Sequence, residues 1–378
     1  MDYSKKSIAL HKKHRGKIEI RSKVKLATRE DLSLAYTPGV AAVSSAIGEN
    51  KKLSWQLTNR ANQVAIVCDG TAILGLGDLG PEAAMPVMEG KAAIFKEFAG
   101  VDAVPLCINT TDTEEIIKFC KNIEPSFGGI NLEDISAPRC FEILERLENE
   151  LSIPVFHDDQ DGTAIVVLAA LINACKVTGQ AMKKLKIVVN GAGAAGIAVA
   201  RLLLVAGATD LILLDSQGAI YSGRNDLNPI KEKIAKATNR RKIKGGLAEA
   251  LVGADVFVGV SKGNLVTPEM IKLMNRQPII FAMANPTPEI MPDLAKRANR
   301  ACVVCTGRSD FSNQINNALV FPGMFRGLLD HKVRRVTTKI KIQAALALSK
   351  VIKPTPDQLL PLVTDKRVVK AIAGAVRV

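Results

Sequence analysis

Short apolar runs alternate with longer amphipathic stretches along most of the chain. Residues 64–68 and 186–190 are compact apolar runs of strand length, and each is followed by polar or glycine-rich positions. Residues 81–100 instead place apolar side chains at helical spacing behind an initial proline. Alternation of these two kinds of segment is typical of parallel strands covered by helices. The pattern therefore predicts an α/β protein with a doubly wound sheet.

The first alternating series gathers acidic residues at the ends of its strands. The predicted strands are 64–68, 102–109, 127–135 and 153–159, and the predicted helices are 81–100, 111–123 and 138–151. Asp112 or Thr113 is expected to cap the second of these helices. The carboxyl ends of parallel strands meet at one edge of a sheet, where ligands of open sheets bind. We therefore expect a polar site at this edge.

A second alternating series begins near Lys186. Its predicted strands are 186–190, 211–215, 254–261 and 278–286, and its predicted helices are 194–206 and 228–238. We place a domain boundary near residue 160, which gives an N-terminal domain of residues 1–160 and a second domain of residues 161–320. Residues 321–378 are expected to return as helices to the body of the protein. Length supports two domains, because single cores stop growing near about 250–300 residues.

Composition narrows the class of protein. The longest apolar stretch falls short of the roughly 18–20 residues needed to cross a bilayer, and the basic N-terminus lacks a hydrophobic signal region. Seven scattered cysteines fit a reducing compartment, so we expect a cytoplasmic protein. Cys302 and Cys305 form a lone C-x-x-C separated by valines, which favours a buried strand over a zinc site.

The net charge of +14 raises the possibility of nucleic acid binding. The spacings of helix-turn-helix and finger motifs are missing from the sequence, as is any alternation of aromatic and basic residues. We therefore expect a solvated basic face, or a field that attracts small dianionic metabolites, and no nucleic acid or membrane partner.

A glycine-rich loop follows the strand at 186–190. It consists of Gly191, Ala192, Gly193, Ala194, Ala195 and Gly196 and fits the dinucleotide-binding pattern G-x-G-x-x-G. The first glycine permits the tight turn, the second lets the backbone approach a pyrophosphate, and the third lets helix and strand pack closely. Asp215 ends the next strand, where it would bind ribose hydroxyls and repel a 2′-phosphate, which favours NAD over NADP. A glycine turn of another α/β unit is the alternative.

Residues 75–80 repeat the same glycine pattern but lack its context. Pro81 follows at once, and the next strand begins with Asp102 instead of ending in an acid at the right distance. We interpret these glycines as shaping a loop near the substrate.

Two acidic pairs lie directly after strands. Glu133-Asp134 and Asp158-Asp159 offer carboxylate oxygens, which suit an octahedral Mg²⁺ or Mn²⁺ site, whereas zinc would prefer histidine and cysteine. Helix capping by Asp158 or Asp161 is the alternative, and it would account for one acid but not for both clusters.

Longer motifs resemble one family, the malic enzymes of the short bacterial type. They occur in the family's order over most of residues 10–330, as LAYTPGVA, DGTAILGLGDLGPEAAMPVMEGKAAIFKEFAGVDAVPL, INLEDI, FHDDQDGTA, NGAGAAGIA, ANPTPEI and TGRSDFSNQINNALVFPG. The resemblance implies an N-terminal malic domain and a Rossmann-type NAD(P)-binding domain. It also implies oxidation of (S)-malate with NAD or NADP, decarboxylation to pyruvate, a divalent metal, and a homodimer or homotetramer.

The resemblance also implies roles for individual residues. Glu133, Asp134 and Asp159 would bind the metal, and Lys91 would take the proton from the C2 hydroxyl, which requires a lowered pKa. Asp158 would position Lys91, and Tyr36 would protonate C3. Asn285 and Asn317 would bind the substrate carboxylate, and Asn285 would also contact the cofactor. Apart from the resemblance, Lys91 and Tyr36 would be an ordinary helix lysine and an ordinary turn tyrosine.

Two positions depart from the family. Ala72 stands where large relatives carry a carboxylate-binding arginine, and Asp161 stands where histidine or glutamine is expected. Asp161 would add negative charge beside the metal and so strengthen cation binding, or it would cap the helix, and we favour the cap. Two alternative functions remain at this point: a different 2-hydroxy or amino acid dehydrogenase, and a non-catalytic dinucleotide-binding regulator.

Overall fold

The computed structural model describes residues 3–73 and 75–377, and in them the chain forms two parallel sheets. The strands are β1 Gln63–Cys68, β2 Asp102–Cys107, β3 Gly129–Glu133, β4 Val155–His157, β5 Lys186–Asn190, β6 Asp210–Asp215, β7 Gly218–Ala219, β8 Val256–Gly259, β9 Ile279–Ala282 and β10 Val303–Thr306. The first sheet has the order β2-β1-β3-β4, and the second has the order β10-β9-β8-β5-β6-β7. Only β7 runs antiparallel to its neighbour among these strands. The predicted α/β class is confirmed.

Helices cover the sheets and fill the connections between strands. They are α1 Tyr3–His14, α2 Arg29–Ala35, α3 Val40–Glu49, α4 Ser54–Leu57, α5 Pro81–Ala99, α6 Thr113–Ile123, α7 Arg139–Glu150, α8 Thr163–Thr178, α9 Ala194–Val205, α10 Pro229–Ala235, α11 Leu247–Leu251, α12 Pro268–Leu273, α13 Pro292–Ala298, α14 Phe321–Asp330, α15 Thr338–Ser349 and α16 Arg367–Ala375. Asp112 caps α6 by accepting a hydrogen bond from the Glu115 amide, as predicted.

The C-terminal helices pack against earlier parts of the chain. Helix α14 contacts α5, and α15 contacts α8 and α16. Phe321 and Phe325 of α14 pack against Phe95 of α5 in tilted and edge-on arrangements, with ring centroids 4.7 and 5.3 Å apart, which adds aromatic contact to apolar burial. The assignment of residues 321–378 as a separate returning segment stays a prediction.

One long helical stretch runs from the first sheet into the core. A π-helical turn of residues 158–162 leads into α8, and together they form Asp158–Thr178. This stretch is long and apolar enough to cross a membrane, contrary to our expectation from the sequence, because the turn adds its five residues to the apolar helix. Some 72% of its apolar window is buried inside the protein, as expected for the core helix of a soluble protein.

The N-terminal segment has the opposite character. Helices α1 to α4 contain no buried residue, although they carry many large apolar side chains. Ile20, Leu34 and Tyr36 are among the most exposed apolar residues of the described chain, and Leu34 is 71% exposed. The segment thus presents an uncovered apolar surface.

Candidate active site

Three acids from two neighbouring strand ends converge at the carboxyl edge of the first sheet. Glu133 is the last residue of β3, Asp134 follows it, and Asp159 lies in the turn after β4. The parallel pairing of Leu132 with His157 brings these two ends together. The three residues offer carboxylate oxygens that all lie within 4.8 Å of one another. Asp134 has a φ of 51°, a left-handed conformation that aspartate tolerates better than most residues.

The cluster fits a hard divalent cation. Glu133 and Asp134 are buried, and burial together with the nearby Asp159 carboxylate raises the pKa of Glu133 well above its usual value. An all-oxygen donor set with clustered negative charge is the chemistry that Mg²⁺ and Mn²⁺ prefer. His157 lies outside the set, with Nδ1 3.9 Å from Asp159 Oδ2, and burial lowers its pKa.

The capping interpretation of the acids is wrong. Helix α8 begins after Gly162 without a side-chain cap, and Asp158 Oδ2 accepts its hydrogen bond from Lys91. Asp161 Oδ1 accepts from Lys341 Nζ at 2.6 Å. The π-helical turn continues directly into α8, so the first amides of the helix lie inside a longer helical stretch and do not meet these carboxylates.

Lys91 projects from the middle of α5 into the acidic site. Its Nζ lies 2.5 Å from Asp158 Oδ2, 3.1 Å from Glu133 Oε2 and 4.6 Å from the ring centroid of Phe321. Burial by itself lowers the pKa of Lys91, but the Asp158 and Glu133 carboxylates outweigh it, so the pKa is raised. The expected lowering of the pKa is therefore not found, because the lysine is held as a counter-ion between two acids.

Asp158 is fixed by its surroundings. It is fully buried, and burial raises its pKa to about 6 despite the opposing charge of Lys91. A Cβ at Gly162 would lie 1.9 Å from Asp158 Oδ1 and 3.3 Å from Cβ of Asn317. Only glycine fits at that position, and Asn317 is thereby located beside the same turn.

The glycine-rich loop has the geometry of a dinucleotide cradle. Gly191 has a φ of 117°, and its amide donates to the Leu214 carbonyl oxygen at 2.9 Å. A Cβ at Gly196 would lie 1.6 Å from the Gly191 oxygen, so the helix approaches the strand as closely as predicted. A Cβ at Gly193 would meet nothing within 4 Å, which leaves space for a ligand above the start of α9. The remaining loop residues, Ala192, Ala194 and Ala195, lie between these glycines.

Asp215 ends β6 beside the glycine-rich loop, but its charge is compensated. Arg224 Nη1 donates to Asp215 Oδ1 at 2.9 Å, and Lys231 Nζ lies 2.6 Å from Oδ2. Burial opposes ionisation, yet hydrogen bonds from Arg224 and Lys231 lower the pKa of Asp215 to about 2. Asp215 therefore does not meet a 2′-phosphate as a bare negative charge, because two cations accompany it.

The loop of residues 75–80 touches the turn that carries Asn285. A Cβ at Gly75 would lie 2.5 Å from the Asn285 carbonyl oxygen, and one at Gly307 would lie 3.1 Å from its Nδ2. Asn285 therefore lies between this loop and the end of β10. The contact supports our interpretation of the second glycine pattern as a loop at the site.

Tyr36 is not joined to the acid cluster. It follows the end of α2 and is 67% exposed, and its hydroxyl makes no hydrogen bond with residues 3–73 or 75–377.

Cys302 directly precedes β10 and Cys305 lies within it, and both are buried free thiols. The prediction of a buried strand at this position is confirmed.

One arginine at this edge of the sheet was not recognised from the sequence. Arg139 at the start of α7 donates to Asp69 Oδ2 at 2.9 Å, to Thr71 Oγ1 at 3.0 Å and to Ser136 Oγ at 3.0 Å. It ties the loop after β1 to the loop after β3, next to the position where Ala72 replaces an arginine. The position of Arg139 shortly after the acidic pair Glu133-Asp134 could have marked it as a residue near the site. Its partner Asp69 lies 70 residues away and could not be identified from the sequence.

Comparison with protein families assigns both halves of the chain. Residues 15–148 match the model of the malic enzyme N-terminal domain, and residues 160–378 match that of the malic enzyme NAD binding domain.

Similar proteins span nearly the full chain. The bifunctional malic/malolactic enzyme of Bacillus subtilis is 52% identical over 380 residues, which are 100% of this chain and 92% of that protein. The NAD-dependent malic enzyme of Geobacillus stearothermophilus is 54% identical over 366 residues, 96% of this chain and 76% of that protein.

A solved structure agrees with these matches. The NAD-dependent malic enzyme from Thermotoga maritima superposes with a TM-score of 0.93 at 47% identity and covers 98% of each chain. All three comparisons give the same family. They are the family models that cover both sheets, the relatives above 50% identity and the match to this solved structure. The chain belongs to the malic enzyme family.

Proposed function

We propose that the protein oxidises (S)-malate with NAD or NADP and decarboxylates the product to pyruvate and carbon dioxide. The observation that carries this proposal is the convergence of Glu133, Asp134 and Asp159 next to the Lys91–Asp158 pair. The glycine-rich cradle of the second sheet supplies the dinucleotide site, and Asn285 and Asn317 supply amides for the substrate carboxylate.

The chain's own residues account for the proton movements. Lys91 in its neutral form accepts the proton of the C2 hydroxyl while the C2 hydride passes to the nicotinamide, and Asp158 holds the lysine in place. This neutral form is favoured when a cation bound by the acids offsets the carboxylate charge that raises the pKa of Lys91. Loss of carbon dioxide leaves an enolate of pyruvate. Tyr36 is the proposed donor of the proton to its C3, although it is exposed and lies apart from the acid cluster in the single chain. A divalent cation bound by the three acids would polarise the C2 oxygen and stabilise negative charge there. Lys91, Glu133 and Asp158 are largely buried, which limits the access of water to them.

A preference for NAD follows from the cations around Asp215. Arg224 and Lys231 are natural partners for a 2′-phosphate, but both are engaged by the Asp215 carboxylate. NADP would have to break those ion pairs, whereas NAD leaves them intact. We therefore propose NAD as the better cofactor and NADP as an accepted one.

We further propose a homodimer or homotetramer in which the N-terminal segment is covered by another copy. Leu34 and Tyr36 belong to an apolar surface of a kind that monomeric soluble proteins rarely expose. Light scattering should give two or four chains per particle, and Leu34→Glu should lower that number and the activity together.

The seven cysteines, all free and all within the described residues, support a cytoplasmic location.

We also propose residues 1–160 as the malic domain and residues 161–320 as the dinucleotide-binding domain. Residues 321–378 form the returning segment. Limited proteolysis should cut the chain between these units before it cuts within them.

The reaction is tested by a four-way assay. Malate is mixed with NAD or NADP, each with Mn²⁺ or with excess EDTA, and reduced nicotinamide, pyruvate and carbon dioxide are measured. We expect equal amounts of the three products with Mn²⁺ and none with EDTA. Reduced cofactor without carbon dioxide, or activity retained in EDTA, would favour another dehydrogenase. Cofactor binding that ignores malate and Mn²⁺ would favour a regulator.

A further inference from the structure

We propose that Lys341 is a positioning residue for the metal site, acting through its ion pair with Asp161. The inference rests on the metal site proposed above. Asp158 and Asp159 begin the turn of residues 158–162 and face the acid cluster, whereas Asp161 of the same turn faces α15. Lys341 thus holds the turn from the side opposite to the cation.

The ion pair is short and almost buried. Lys341 Nζ lies 2.6 Å from Asp161 Oδ1, and the two side chains are 18% and 8% exposed. Its partners lie 180 residues apart in the chain. Removal of one member of a buried pair leaves an uncompensated charge, so the surrounding backbone must move or admit water.

On this face the turn packs against α9 and otherwise borders open space. A cavity of about 790 Å³ lies behind it and is bordered by Gln160, Asp161 and Lys341 together with residues of α7 and α9. Besides the ion pair, Gln160 Nε2 donates to the Cys140 carbonyl oxygen at 3.2 Å. These two polar contacts support the turn from this side. The Asp134 amide, which donates to Asp159 Oδ2 at 2.9 Å, holds Asp159 from the side of the acid cluster.

Lys341 is itself well anchored. It lies in the first turn of α15, whose start is capped by Thr337 accepting from the Ile340 amide. Helix α15 packs on α8, the helix that continues directly from the turn. The lysine therefore links the turn to the C-terminal helices, which contain none of the proposed metal ligands.

The direction in which Mn²⁺ affinity changes when Lys341 is replaced distinguishes a positioning role from a purely electrostatic one. Lys341 is a cation near the cation site, so by charge alone its removal should make Mn²⁺ bind more tightly. If Lys341 instead holds the turn, Lys341→Met should weaken Mn²⁺ binding. Residues that orient metal ligands typically contribute about 10-fold to 100-fold in metal affinity.

The test measures the affinity for Mn²⁺ directly. Mn²⁺ is titrated into full-length protein that has been stripped of metal with a chelator and contains no substrate, and free Mn²⁺ is measured by electron paramagnetic resonance. We expect Lys341→Met and Asp161→Asn each to raise the Mn²⁺ Kd about 10-fold, and the double variant to be no worse than either. Lys341→Arg should restore most of the affinity. Lys121→Met is the matched control, because Lys121 forms an ion pair of the same 2.6 Å length with Glu150 but is 48% exposed.

Circular dichroism and thermal melts of each variant show whether the fold is intact at the assay temperature. Unchanged or tighter Mn²⁺ binding by folded Lys341→Met would overturn the positioning role, as would additive losses in the double variant. Absence of Mn²⁺ binding by the wild-type protein would be a different failure, that of the proposed metal site itself.

Discussion

Lys91 Nζ lies 2.5 Å from Asp158 Oδ2, at a point where four separate parts of the chain meet. Helix α5 carries the lysine, the turn after β4 carries Asp158, β3 contributes Glu133, and α14 places the ring of Phe321 beneath the ammonium group. Its burial and its partners distinguish Lys91 from an exposed helix lysine. Its location instead fits a group that moves a proton at the reacting carbon of the substrate.

Lys91→Ala should therefore abolish turnover while the fold persists. Loss of a positioned general base lowers kcat by at least about 100-fold. Steady-state assays with malate and Mn²⁺ measure kcat, and circular dichroism monitors the fold. Lys96→Ala is the control on the same helix, since Lys96 pairs with Asp102 on the surface and is 63% exposed. An unchanged kcat in the Lys91 variant would remove the lysine from the mechanism.

Asp215→Asn should shift cofactor preference towards NADP. The substitution removes the charge that engages Arg224 and Lys231, so both become available to a 2′-phosphate. We expect the ratio of kcat/KM for NAD to that for NADP to fall at least about 10-fold, equivalent to about 1.4 kcal/mol. Asp226→Asn is the control, because Asp226 pairs with Arg224 but is 50% exposed. If the ratio stays constant, the ion pairs do not determine cofactor choice.

Gly193→Ala should weaken cofactor binding without destabilising the protein. A Cβ at this position meets nothing within 4 Å, so the apo fold accommodates it, but it would occupy the approach to the pyrophosphate. We expect the NAD Kd to rise about 10-fold while the melting temperature is nearly unchanged. Gly48→Ala, in an equally open position of α3, should change neither quantity. Normal NAD affinity in Gly193→Ala would place the pyrophosphate elsewhere.

Stability should depend on pH through Glu289. This fully buried carboxylate accepts from the amides of Ser261 and Ala284 at 3.2 and 3.0 Å, but burial outweighs these bonds and raises its pKa from 4.5 to about 7. Because the folded protein holds this proton more tightly than the unfolded chain, the contribution is complete below pH 4.5. It is lost as the pH rises through about 7.

Wild-type protein should accordingly lose more stability than Glu289→Gln between pH 5 and pH 8. The shift of the Glu289 pKa makes the extra loss in the free energy of unfolding up to about 3 kcal/mol. Urea unfolding of both proteins at each pH measures it. At pH 5 the Glu289→Gln variant should be less stable than the wild type, because it has lost one hydrogen bond from a backbone amide. Its free energy of unfolding should also change less with pH. Parallel pH curves would show that Glu289 stays ionised.

Local patterns were sufficient for the elements and the acidic edge. The apolar runs of β1 and β5 and the helical spacing of α5 were recognisable because each depends on neighbours in the sequence. The convergence of Glu133 with Asp159 followed from the rule that parallel strands end at one edge. Strands β7 and β10 were less evident, since the first has two residues and the second was recognised only from Cys302 and Cys305.

The contacts that determine the properties of the site could not be predicted in the same way. The pairing of Asp161 with Lys341 spans 180 residues, and no local pattern records it. The assignment of Asp161 as a cap failed for that reason. The pKa of Lys91 was predicted in the wrong direction, because burial and nearby acids act oppositely and only the structure gives their balance.

The account depends most on Glu133, Asp134 and Asp159 forming one cation site. Electron paramagnetic resonance of Mn²⁺ with chelator-stripped wild-type protein and with Asp159→Asn tests this directly. We predict one tightly bound Mn²⁺ per wild-type chain and a loss of that binding by at least about 10-fold in the variant. Equal Mn²⁺ binding by the two proteins, or none by the wild type, would contradict the account.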